Sequence, residues 1–189
     1  FMGQIAFYSG ISRRLYESAY ILIGNRPGGL AIATVGACAG FSAICGSTNA
    51  TAATMATVTL PEMKRYGYDM GLASGTVAAA GSLGILIPPS VIFIVYGILT
   101  EQSIGKLFAA GILPGIVLSA LFILTVYIRV RMNPALAPVG AATASAAKFQ
   151  AFTGLLETLF IFGMVMGGIF FGIFTPTEAA GIGAFLTLL

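Results

Sequence analysis

The chain has 189 residues, of which 58% are hydrophobic and only 8% charged, with a mean hydropathy of +0.98; a soluble globular domain carries roughly 25% charged residues. Such a chain cannot cover itself with water-facing side chains, so a soluble fold is excluded. The formal net charge of +3 comes from nine Lys and Arg that stand beside apolar runs, where they set membrane orientation; no nucleic-acid role is expected.

Charge-free runs occupy 27–61, 70–100, 107–128 and 158–177, each against the roughly 20 apolar residues that a membrane-spanning helix needs. The sequence opens on Phe1 within an apolar run, without a charged n-region or cleavage site, and reads as a segment of a longer protein. Residues 11–24 place Ile11, Leu15, Ser18 and Leu22 on one face and Arg13, Arg14 and Glu17 on another, predicting a short amphipathic helix along the membrane surface. Residues 28–61 are interrupted near the middle by Gly46, Ser47, Thr48 and Asn49, which predicts a helical hairpin. Its second arm, 48–61, reaches only about 21 Å at 1.5 Å per residue, short of the roughly 30 Å hydrocarbon core. A re-entrant hairpin fits that length better than two crossings.

In 70–100 the prolines Pro88 and Pro89 and the stretch 81–84 fall inside the run, predicting a span broken into two half-helices. Residues 109–128 read as an ordinary span, 132–150 as a cytoplasmic connection, and 151–174 as a further span. Thr175, Pro176 and Glu178 have the form of a capping box that starts another helix; Glu178 is also readable as a membrane-embedded functional carboxylate. With an even number of crossings in 28–61, Arg13, Arg14, Arg26, Lys64, Arg65, Arg129, Arg131 and Lys148 share one face and Lys106 lies opposite, which makes the shared face cytoplasmic. The fold class is therefore all-α integral membrane: a polytopic helical bundle with a re-entrant hairpin and a broken transmembrane helix. Its parts are 1–27, a helix end plus an interfacial helix; 28–131, hairpin, broken helix and span; 132–150; and 151–189.

Unpaired backbone groups in hydrocarbon cost several kcal/mol each, so two breaks at membrane depth need protein or a watery cavity around them. Transporters build such breaks because half-helix C-terminal ends and unwound carbonyls hold a small cation, while N-terminal ends face anions. Ser47, Thr48, Asn49 and Thr51 at the hairpin and Ser82 at the broken span add short neutral oxygen ligands suited to sodium. Gly36, Gly40 and Thr54 read instead as close-packing residues. An enzyme is not expected: histidine is absent, no Gly-x-Ser-x-Gly or HExxH occurs, and Cys38 and Cys45 read as small buried residues.

The stretches RPGGLAIATV, GSTNATAATM, PEMKRYGYD, GSLGILIPPSVIFIVYG, SIGKLFAAGILPG and FTPTEAAG, in this order, resemble the large membrane subunit of TRAP transporters, the tripartite ATP-independent periplasmic family. The resemblance covers nearly the whole chain apart from the 132–150 connection, and matches the later part of the first inverted repeat and the opening of the second. It implies an elevator-type permease in the bacterial or archaeal cytoplasmic membrane, with Na+ as coupling ion. A small membrane subunit and a periplasmic binding protein would be its partners, and an organic anion such as a dicarboxylate or sugar acid its substrate. By motif, the sodium site would take Gly46, Ser47, Thr48, Asn49, Gly81, Ser82 and Gly84, with Ser47, Asn49, Thr51 and Pro88 as substrate contacts. Pro88, Pro89, Thr175 and Glu178 would be structural. The tip departs from the family's more common second serine or alanine followed by an aliphatic residue, which leaves Asn49 either adjusting selectivity or satisfying local backbone. The rival readings are another elevator-type sodium/anion symporter and a non-transporting structural membrane subunit.

Overall fold

The computed structural model describes residues 2–24, 26–138 and 145–187, with side chains from residue 4 onward except those of 145–154. Helices dominate and no strand forms among the described residues: α1 (Met2–Tyr8), α2 (Ile11–Ile23), α3 (Gly29–Cys45), α4 (Thr48–Arg65), α5 (Met70–Gly81), α6 (Leu83–Leu86), α7 (Val91–Leu99), α8 (Ile104–Met132), α9 (Ser145–Phe170) and α10 (Pro176–Leu186).

The first hairpin arm, α3, is the centre of the bundle. Twelve of its seventeen residues are buried, as expected of a helix that is apolar or small on every side. It packs against α2, α4, α5, α6, α8 and α9. Its N-terminal turn is tied down by the Leu30 amide, which donates to the Tyr68 hydroxyl at 3.2 Å. Gly40 lies against Leu15, where an added Cβ would stand 3.0 Å from a methyl carbon, so its packing role holds and Thr54 is likewise buried. Gly36 differs from expectation: a Cβ there meets no described atom within 4 Å, because its face of α3 points out of this part of the bundle.

Two segments, Met70–Leu99 and Ile104–Met132, are long and apolar enough to cross a membrane, and only 28% and 17% of their most apolar windows are buried. Those fractions set them apart from the core helices of a soluble protein, and α7 and α8 carry rows of exposed large residues such as Val91, Val95, Leu99, Leu113, Val117, Leu121 and Leu124. One end of the bundle gathers the turn after α4, the start of α3 and the end of α8. There the Asp69 amide donates to the Leu136 carbonyl at 2.9 Å, and a Cβ on Gly28 would stand 3.1 Å from Val130. This end carries Arg26, Lys64, Arg65, Arg129 and Arg131, while Lys106 starts α8 at the other. Lys148, assigned to the same side, lies outside the described side chains.

Several boundaries move. The second arm continues through Pro61 to Arg65 and is 18 residues long, roughly 27 Å, so arm length no longer separates re-entrance from a crossing. The span 109–128 extends to Ile104–Met132, and α9 begins at Ser145, inside the expected 132–150 connection, and ends at Phe170 rather than 174. Where the helices lengthen, charged or polar residues continue them beyond the apolar stretch, because hydropathy marks the depth of burial and not the last hydrogen bond; α9 ends early because Gly172 turns the chain in the left-handed region, φ 70°. Leu22 turns outward at 40% exposure, and Arg14, expected on a water-facing side, makes a two-pronged ion pair with Glu157 of α9 at 2.7 and 3.0 Å. The amphipathic helix α2 thus lies on α3 and α9.

Candidate functional site: a hairpin tip docked on a broken helix

Gly46 ends α3 in the left-handed region, φ 63°, and Ser47 swings back to an extended conformation as the N-cap of α4, its Oγ accepting the Ala50 amide at 3.5 Å. In the partner segment α5 stops at Gly81, Ser82 leads into the single turn α6, and residues 87–90 are non-helical before α7. The prolines make this break complete. A proline has no N–H, so with Pro88 and Pro89 in place the carbonyls of Gly84 and Ile85 have no i+4 donor.

The two breaks meet. The Val91 amide, first of α7, donates to the Gly46 carbonyl at 3.3 Å. A methyl on Gly46 would collide with the Pro89 carbonyl oxygen, and one on Gly84 would stand 2.8 Å from the Thr48 nitrogen and 2.9 Å from the Ser47 carbonyl carbon. On Gly81 it would come within 2.7 Å of the Ala52 Cβ. These glycines exist for close backbone approach. Because the tip contacts the middle of Met70–Leu99 while both arms return to the basic end, contact geometry supplies the argument for a re-entrant hairpin that arm length does not.

Around this junction converge the C-terminal ends of α3 and α5, bearing partial negative charge, and the N-terminal ends of α4 and α7, bearing partial positive charge. Four hydroxyls on the same segments, those of Ser42, Thr48, Thr51 and Ser90, are buried without a hydrogen-bond partner among the described residues. Buried polar atoms are ordinarily paired, and oxygens left over beside free carbonyls are the donor set of a small hard cation. No His, Cys, Asp or Glu cluster able to hold a metal occurs among the described residues, so the ligands on offer are neutral oxygens.

The expected site residues sort by position. Gly46, Ser47, Thr48, Gly81 and Gly84 lie at the junction, and Thr51 is buried beside it. Ser82 adjoins it, half-buried, with its hydroxyl donating to the Ala79 carbonyl at 2.7 Å. Asn49 is exposed on the outer side of the tip. Pro88 lines an apolar cavity of about 480 Å3 with Ala39, Gly40, Ala43 and Ile87, a place suited to holding the span open rather than to polar recognition. Ser42 and Ser90 were not legible as site residues; their one signal is a hydroxyl next to a helix break. At the start of α10, whose Pro176 and Ala179 line a small cavity with Gly46 and Ser90, the capping box is complete: Glu178 accepts from the Thr175 amide and hydroxyl, both at 2.8 Å, and returns its own amide to Thr175 Oγ1 at 3.3 Å.

A polytopic helical bundle with a broken span and a hairpin seated on the break defines a membrane transport protein. The chain belongs to the family described as tripartite ATP-independent periplasmic transporter, DctM component, whose model matches residues 1–189. It is 43% identical over 184 residues to the C4-dicarboxylate TRAP transporter large permease protein DctM of Pseudomonas aeruginosa, a match covering 96% of this chain and 42% of that protein. The protein of the same name in Vibrio cholerae is 40% identical, over 93% of this chain and 38% of its own length. The sialic acid TRAP transporter permease protein SiaT of Haemophilus influenzae is 33% identical, over 95% of this chain and 29% of its own. The chain thus spans about two-fifths of the length of the C4-dicarboxylate relatives it matches. These relatives are named as transporter permeases, not enzymes.

Proposed function

We propose that this chain is part of the large permease subunit of a sodium-coupled secondary transporter that imports an organic anion across the bacterial cytoplasmic membrane. Delivery would be by a periplasmic binding protein, and a small membrane subunit would complete the scaffold against which the hairpin-bearing part moves as an elevator. The observation that carries the reading is the docked junction: four helix ends meet there, the carbonyls of Gly84 and Ile85 lack i+4 donors, and the same segments carry four buried hydroxyls with no hydrogen-bond partner among the described residues. Relatives named for C4-dicarboxylates, isethionate and sialic acid support an organic-anion substrate. Family membership favours this reading over another elevator-type symporter or a non-transporting subunit.

The test is uptake by the full-length permease, reconstituted with its small subunit and binding protein, under a sodium gradient or in potassium-only buffer. Thr51→Val and Ser90→Ala each remove one oxygen at nearly constant shape. Each is expected to raise the sodium concentration for half-maximal uptake about tenfold, the equivalent of ~1.4 kcal/mol. Asn49→Ala, on the exposed side of the tip, leaves it unchanged. Equal uptake in potassium-only buffer would overturn sodium coupling, and normal sodium dependence in both hydroxyl variants would remove these residues from the site.

A further inference from the structure

At the basic end of the bundle an open groove of about 860 Å3 runs between the end of α2, the start of α3 and the last turns of α8. Its walls are apolar, from Leu22, Ile23, Ile32, Ala120, Ile123 and Leu124, and its mouth is formed by Arg26, Arg131 and Tyr127. No acidic side chain lines it among the described residues. The described ion pairs join Arg13 to Glu17, Arg14 to Glu157 and Arg65 to Glu62, leaving Arg26 and Arg131 with no carboxylate within 4 Å among the described residues. The Arg131 guanidinium stands 5.8 Å from the centroid of the Tyr127 ring, which holds it at the mouth.

Length decides what the groove fits. Along α8 from Ala120 to Arg131 the wall extends about 16 Å at 1.5 Å per residue, close to half of the roughly 30 Å hydrocarbon core. One leaflet's depth of apolar wall beneath two unpaired guanidiniums, with an amphipathic tyrosine at the boundary, is the shape and charge of a phospholipid whose headgroup is anionic. We propose that this groove binds an anionic phospholipid: its phosphate pairs with Arg26 and Arg131, and an acyl chain lies along Ala120, Ile123 and Leu124. Guanidinium forks suit a phosphate in two-pronged geometry. A free phosphate would leave the apolar wall uncovered, so the lipid, and not the ion alone, is the ligand.

The experiment is native mass spectrometry of the full-length permease titrated with phosphatidylglycerol, phosphatidylcholine or inorganic phosphate. The wild type is expected to retain one more phosphatidylglycerol than phosphatidylcholine, and inorganic phosphate is not retained. Arg26→Gln with Arg131→Gln weakens that lipid about 30-fold, roughly fivefold per arginine. Leu124→Trp, which fills the wall and keeps both charges, displaces it as well, whereas Arg13→Gln, at a basic residue of α2 that lines a different cavity and is already paired with Glu17, leaves it bound. Equal retention of the two lipids, or unchanged phosphatidylglycerol affinity in the double arginine variant, would overturn the proposal. So would a photo-crosslinker at position 124 that joins this chain to another polypeptide in native membranes instead of to lipid.

Discussion

Replacing Gly84 by alanine puts one methyl group against the backbone of the hairpin tip. The added carbon would stand 2.8 Å from the Thr48 nitrogen, 2.9 Å from the Ser47 carbonyl carbon and 3.1 Å from its oxygen, where ordinary contact needs roughly 3.5–4.0 Å. All three atoms are main chain, so no side chain can swing away, and the tip must retreat by about 0.6–1 Å. Overpacking of this kind costs about 1–3 kcal/mol. The better helix propensity of alanine in α6 returns up to ~1 kcal/mol. A net cost of about 1–2 kcal/mol lowers the population with the tip docked, and apparent affinity falls in proportion to that population. Half-maximal sodium activation of uptake by the reconstituted full-length transporter is therefore expected to shift upward about five- to thirtyfold, with membrane insertion unchanged. Gly75→Ala in α5, where a Cβ meets no described atom within 4 Å, is the matched control and leaves sodium activation as it was. If Gly84→Ala inserts normally and shows wild-type sodium activation, the docked tip is not part of the ion-binding state and the reasoning fails.

Two further outcomes follow from single contacts. Tyr68→Phe removes the acceptor of the buried Leu30 amide at the start of α3; an unpaired buried donor costs about 1–3 kcal/mol, to be seen as a lower Tm of the purified protein in detergent. For Glu178 the capping and transport roles separate experimentally. Glu178→Gln keeps a side-chain acceptor for the Thr175 amide and so keeps the Tm, whereas Thr175→Ala loses the cap and about 1 kcal/mol. A loss of uptake in Glu178→Gln at unchanged Tm would show that the carboxylate acts in transport as well as at the helix end.

Much of the docked junction was legible because breaking a helix inside an apolar run requires particular residues. The glycine and N-cap serine at 46–47 and the paired prolines at 88–89 announce non-helical backbone by covalent geometry alone, and the Thr175 cap with Glu178 three residues on is equally local. Ser42 and Ser90 were not legible, since a serine in an apolar run is equally well a hydroxyl bonded to its own helix. Ser119 is such a case, its Oγ donating to the Gly115 carbonyl at 2.8 Å.

The sequence by itself determined the membrane class and the positions of both breaks, because solvent transfer energies and missing donors are properties of the chain before it folds. Only the tertiary structure decided that the hairpin tip seats on the broken span and that Arg14 reaches Glu157 across 143 positions. It alone brought Arg26 and Arg131 to one groove, and it alone turned Asn49 outward. Contacts between distant segments depend on where packing places each backbone, and a methyl group's width between Gly84 and the Ser47 peptide is a distance that no local pattern encodes.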